Sequence, residues 1–104
     1  MPATAPMKHF IVIATDRPGT LALRTATRDA HRAYLKERNA DGVTVALGGP
    51  TLGEDDLMDG TMLVLSAPDR AAAQRFVAND PYTRAQLFEA LEIRAWNWTI
   101  GRPE

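Results

Sequence analysis

The sequence predicts an α+β fold: a four-stranded antiparallel sheet with helices over one of its faces. Three observations predict it. Four segments carry apolar or β-branched runs of strand length, two others repeat apolar residues at helical spacing, and the order along the chain is strand, helix, strand, strand, helix, strand. That order is the split arrangement of ferredoxin-like folds, βαββαβ, in which both helices cover the same face of the sheet.

The first strand is Lys8 to Thr15, built on Phe10-Ile11-Val12-Ile13-Ala14 and stopped by the turn formers Asp16-Arg17-Pro18-Gly19. Thr20 can cap a helix running to about Asn39, with Leu23, Ala26, Ala30, Ala33 and Tyr34 recurring as a buried stripe and Asp41-Gly42 ending it. Val43 to Leu47 is the second strand, closed by Gly48-Gly49-Pro50. A solvated loop follows through Asp59, carrying Glu54-Asp55-Asp56, and the third strand, Thr61 to Ser66, completes a hairpin.

Pro68-Asp69 opens the second helix, Arg70 to Ala78, whose Ala72, Phe76 and Val77 point to the core; Asp80-Pro81 sets its end, and Pro81 to Leu87 adds a short helical turn. Ala90 to Thr99 alternates as the fourth strand. Leu91, Ile93, Ala95 and Asn97 share one face, and Glu92, Arg94, Trp96 and Trp98 the other.

At 104 residues, with 45% hydrophobic and 24% charged, the chain has room for one ordinary core. The expected layout is a flexible tail over residues 1–6 and a single domain over 7–104. Twelve Lys plus Arg against thirteen Asp plus Glu give a net charge of -1, which removes the electrostatic footprint of a nucleic-acid binder. The absence of cysteine excludes disulfides, thiolate nucleophiles and cysteine-rich zinc sites, and fits a reducing compartment, so a cytoplasmic location is expected. No apolar run approaches the roughly 18 residues that cross a bilayer, and the N-terminus lacks the pattern of an export signal. His9 and His31 are isolated histidines without metal-ligand spacing, so no metal is expected.

The first and third strands carry apolar residues at consecutive positions, hence on both faces. An antiparallel sheet with one wet face alternates instead. A partner is therefore expected on the face that the helices leave bare, and a homodimer through the sheet faces is the commonest solution.

One constellation can carry chemistry. On the first helix, Arg24, Arg28, His31 and Leu35 fall along one line, rotated away from the Leu23 to Tyr34 stripe. An imidazole at the edge between core and solvent suits proton transfer when a carboxylate holds its tautomer. Asp80 is the best partner, because Pro81 restricts it to extended dihedrals and so aims its side chain; the same Asp-Pro pair is also an ordinary helix cap. Arg28 can bind an anionic group. No Ser or Cys elbow accompanies the pair, which favours acid/base chemistry over a covalent intermediate. Gly49 and Pro50 can bring backbone near a ligand, although a strand-ending turn explains them equally, and the Lys and Ser/Thr of a phosphate loop are missing. Tyr82 either closes the pocket or packs in the core, and Trp96 and Trp98 supply interface area or a ligand platform.

The pattern Arg28-x-x-His31-x-x-Tyr34-Leu35, then Gly48-Gly49-Pro50, then Asp80-Pro81-Tyr82 and a last strand Ile93-Arg94-Ala95-Trp96-Asn97-Trp98 resembles the YciI-related (YCII) family from about Met7 to Gly101. The resemblance implies a dimeric ferredoxin-like α+β fold of the dimeric α/β barrel type, similar to that of muconolactone isomerase. It also implies a site at a His and Asp pair corresponding to His31 and Asp80, and no cofactor. Some relatives act as dehydrochlorinases on chlorinated hydroxylated aromatics. Together these readings point to a small cofactor-independent enzyme that performs elimination, isomerisation or dehydrohalogenation on a small cyclic or aromatic metabolite. The alternatives are a dimeric module that holds the same ligand unchanged and a heme-free oxygenase of related fold.

Overall fold

A computed structural model describes residues 7–103; the tail expected over residues 1–6 lies outside the described residues. The strands are β1 (Lys8–Asp16), β2 (Thr44–Leu52), β3 (Met58–Ala67) and β4 (Phe88–Trp96), and the helices are α1 (Leu21–Lys36), α2 (Arg70–Ala78) and the short α3 (Pro81–Arg84). The sheet order is β2-β3-β1-β4 with every pairing antiparallel, which is the ferredoxin-like topology that the element order predicts. No helix is long and apolar enough to cross a membrane among the described residues.

The sheet has two unlike faces. In β1, Phe10, Val12, Ala14 and Asp16 are buried beneath the helices, while Ile13 on the opposite face is 45% exposed. Register puts Leu63, Leu65 and Ala67 of β3 and Ile93 of β4 on the helix side. There they form one core with Ala72, Ala73, Phe76 and Val77 of α2. The inward residues expected on α2 are buried, with Ala73 added to them, and its first turn is capped by Asp69, which accepts a hydrogen bond from the Ala72 amide at 2.8 Å.

Several boundaries differ from the sequence reading, each for a physical reason. α1 stops at Lys36 because Asn39, expected inside it, ties the following loop instead. Its amide donates to Val43 O at 2.8 Å and its oxygen accepts from Val43 N at 3.0 Å. Gly42 then takes φ +70, a conformation that glycine adopts without strain. Gly48-Gly49-Pro50 is not a turn. These residues lie within β2, opposite Leu63, Met62 and Thr61 of β3. Proline is tolerated because β2 is an edge strand, and glycine at 48 lets the strands approach where a Cβ would stand 2.5 Å from Leu63 Cδ2. The expected loop through Asp59 is accordingly shorter: residues 53–57 form a tight connection closed by Gly53 N donating to Leu57 O at 2.9 Å. β4 starts two residues early, at Phe88, and ends at Trp96, while the Trp98 indole turns to donate to Ile100 O at 2.8 Å.

The largest correction concerns α1. Leu23, Ala26, Ala30 and Ala33, the expected buried stripe, are exposed, and only Tyr34 of that set is half-buried. The helix instead buries Arg24 and His31, which are 2% and 6% exposed. Periodicity tells which residues share a face, but not which face turns inward; here the polar face wins because buried partners are waiting for it.

Glycine at position 60 is required by packing, since a Cβ would stand 2.3 Å from Ala14 O, whereas one at Gly49 would meet nothing within 4 Å. Gly60→Ala is expected to destabilise the fold by about 1–3 kcal/mol and Gly49→Ala to leave it within about 1 kcal/mol, as read by urea denaturation.

Candidate active site

The buried groups on the inner face of α1 find partners from three other elements. Arg24 donates from Nε to Asp16 Oδ2 at 2.7 Å and from Nη2 to Asp16 Oδ1 at 2.9 Å, a paired contact across the turn that joins β1 to α1. The same Nη2 donates to Thr61 Oγ1 of β3 at 2.7 Å. Two turns further along, His31 Nδ1 lies 2.8 Å from Asp80 Oδ1. Both pairs are buried on both sides.

Asp80 serves two functions with one oxygen. Its Oδ1 also accepts from the Tyr82 amide at 2.9 Å, capping α3, and its extended backbone (φ -62, ψ 133) is the conformation that Pro81 enforces. The cap reading and the partner reading of this residue therefore coexist. Because a carboxylate offers only acceptors, Nδ1 carries the hydrogen, and in the neutral ring Nε2 is left as the basic atom.

Tyr82 fixes the imidazole from a second direction. Its ring stacks on His31 with centroids 3.9 Å apart and planes 18° from parallel, and the Arg24 guanidinium sits 4.7 Å from the Tyr82 centroid. A chain of contacts thus links Asp16, Arg24, Tyr82, His31 and Asp80. Burial opposes the charge on Arg24, but the hydrogen bonds and charge of Asp16 outweigh it and hold the guanidinium proton more tightly than usual.

His31 lies on the wall of a cavity of about 210 Å³ between α1 and β2, floored by Thr61 and Leu63 of β3. Tyr82, Arg28, Gly49 and Pro50 also line it, so all the predicted ligand-contacting residues share one space. Asp80 does not; it stands behind His31. Sequence reasoning missed Asp16, Arg24 and Thr61. Arg24 lies on the line that carries Arg28 and His31, and that alignment is the available signal. Met58 also lines the cavity, whereas Asp55, Leu57 and Asp59 border a separate depression beside Asp16. Among the described residues, no group of three His, Cys, Asp or Glu side chains is arranged to hold a metal.

Comparison with known proteins places this geometry in context. The family model described as the YCII-related domain matches residues 7–97. An uncharacterised protein of Haemophilus influenzae is 27% identical over 91 residues, which span 83% of this chain and 93% of that one. The structure of 5-chloro-2-hydroxyhydroquinone dehydrochlorinase from Burkholderia phenoliruptrix AC1100, in complex with 2,5-dihydroxybenzoquinone, is similar at a TM-score of 0.74 and 37% identity, over 86% of this chain and 93% of that one. A Pseudomonas aeruginosa protein shares the fold at a TM-score of 0.56 and 16% identity, over 94% and 99% of the two chains.

Two expectations follow from the buried groups. Asp16→Ala, which leaves Arg24 without its counter-charge, is expected to destabilise by about 3–5 kcal/mol, whereas the double change Asp16→Leu, Arg24→Met falls well below that in chemical denaturation. The chain has two tyrosines, and both are pushed up: Tyr34 from 10.0 to about 12, by burial and then by the charges of Asp80, Glu37 and Asp41, and Tyr82 by burial foremost. The folded state thus favours the neutral phenols. The stability contributed by Tyr34 is full below pH 10.0 and is lost as pH rises through about 12. Absorbance at 295 nm should show neither phenol ionising with an ordinary midpoint while the chain stays folded.

Proposed function

Because the chain belongs to the YCII-related domain family, we propose that it is a small acid/base enzyme acting on a hydroxylated ring, with His31 as the proton carrier and Asp80 as its orienting partner. One observation carries this reading: a buried imidazole, held at Nδ1 by a carboxylate, on the wall of a cavity sized for a single ring. Nε2 takes a hydroxyl proton from the substrate, and Arg28 steadies the oxyanion that forms. Tyr82 keeps the imidazole in plane.

Dehydrochlorination of a chlorinated hydroxyhydroquinone, the reaction in the name of the Burkholderia relative, fits one proton-carrying imidazole well. Hydroxyl protons leave, the chlorine-bearing carbon takes one proton, and chloride departs with the electron pair of its bond. The sum is loss of HCl with no electrons exchanged. A single imidazole that accepts a proton at oxygen can return it at carbon, so the steps need no second base.

The assembly proposed with this activity is a homodimer through the open sheet face. That face carries Ile11, Ile13, Met62 and Leu47 beside Trp96, with Ile13 and Leu47 45% and 42% exposed. His9 and Trp98 meet edge to face at 5.5 Å at one end of it. Sedimentation is expected to report twice the 11.4 kDa chain mass at micromolar concentration.

With 5-chloro-2-hydroxyhydroquinone as substrate, His31→Ala is expected to lower turnover on the order of a hundredfold or more. Asp80→Asn, which keeps an acceptor for the Tyr82 amide, should lose turnover while remaining folded by circular dichroism. Full activity in both variants would end the acid/base reading. Substrate binding without chloride release in the native protein would favour the module that holds its ligand unchanged.

A further inference from the structure

The cavity holds more positive charge than its walls neutralise. Arg24 is matched by Asp16, but Arg28 and Arg32, one turn apart on α1, line the same space and form no ion pair among the described residues. Neither donates a side-chain hydrogen bond to a described residue, and Arg28 Nε is buried with no acceptor. A guanidinium held by no protein hydrogen bond, at the wall of a cavity, can turn toward a bound acceptor. The charges of both cations oppose the burial that pushes the Tyr82 phenol up.

Leu63 and Pro50 line the same cavity and supply apolar wall for a flat body. A guanidinium presents paired N–H groups matched to two oxygens held at fixed spacing. We propose that this cavity takes its ligand as a planar ring bearing a two-oxygen anion, either a carboxylate or an ionised 1,2-dioxygenated ring edge, with Arg28 as the paired donor and Arg32 as a rim charge. The proposal deepens the functional reading by naming the ligand class. It rests on this cavity being the ligand site and not on proton transfer at His31.

Binding of benzoate against benzamide near neutral pH, and of catechol against phenol at a pH high enough to remove the first proton of catechol, measured by NMR titration of the intact chain at low salt, tests it. Benzoate or catechol is expected to saturate the site while its neutral or one-oxygen counterpart binds at least about tenfold more weakly. Arg28→Met should weaken the bound member by about tenfold or more, with Arg28→Lys, which keeps charge without the fork, falling between. Arg32→Met should have a smaller effect that disappears at high salt. His31→Ala should retain the benzoate or catechol preference even where turnover is lost, which separates this claim from the acid/base reading. Equal binding within each pair, unchanged affinity in Arg28→Met, or no saturable binding of either anion would overturn it.

Discussion

The two residues that α1 buries, Arg24 and His31, are both polar, and each is met by a partner from another part of the chain. Arg24 finds Asp16 and Thr61, and His31 finds Asp80. An unmatched guanidinium or imidazole in these places would pay the full cost of leaving water. The remaining geometry of the site follows from satisfying them. β1 must extend to Asp16, β3 must present Thr61 toward the helix, and the segment after α2 must return so that Asp80 reaches His31.

That requirement also explains why the cavity lies where it does. The apolar core forms under α2, where Phe76, Val77, Ala72 and Ala73 close tightly on Phe10, Leu63 and Leu65. α1 joins that core through Tyr34 and Leu35 and turns Arg24 and His31 toward polar partners from the rest of the fold. The gap that remains between α1 and β2 is bounded by an edge strand of glycines and proline, whose missing or compact side chains leave it open. The open space is the counterpart of a polar helix face.

Tyr82 is the point at which the two buried pairs meet. Stacked on His31 and lying beneath the Arg24 guanidinium, it transmits the position of one pair to the other without a hydrogen bond between them. The cap that Asp80 makes to the Tyr82 amide fixes the two residues together. A structural role in starting α3 and a role in holding the imidazole thus share one carboxylate oxygen.

The order of strands and helices was legible because it depends on local patterning: β-branched runs, turn residues and the Asp69 and Asp80 caps act within a few residues of themselves. α2 could be read to its ends for the same reason. The candidate pair His31 and Asp80 was visible from residue type and from the restraint that Pro81 places on its neighbour. The inward face of α1 was not, since Leu23, Ala26, Ala30 and Ala33 look like a core stripe to any scale of hydrophobicity. Nor could periodicity reveal that Gly48-Gly49-Pro50 continues a strand, because only pairing with β3 at an edge makes those residues acceptable there. The sequence by itself determined which elements form and in what order, through forces that act along the chain. Tertiary structure alone decided which face of α1 is buried and that Asp16, Arg24 and Thr61 join the site, because those choices turn on partners that lie 8 and 37 residues from Arg24 along the chain and meet it only in the fold.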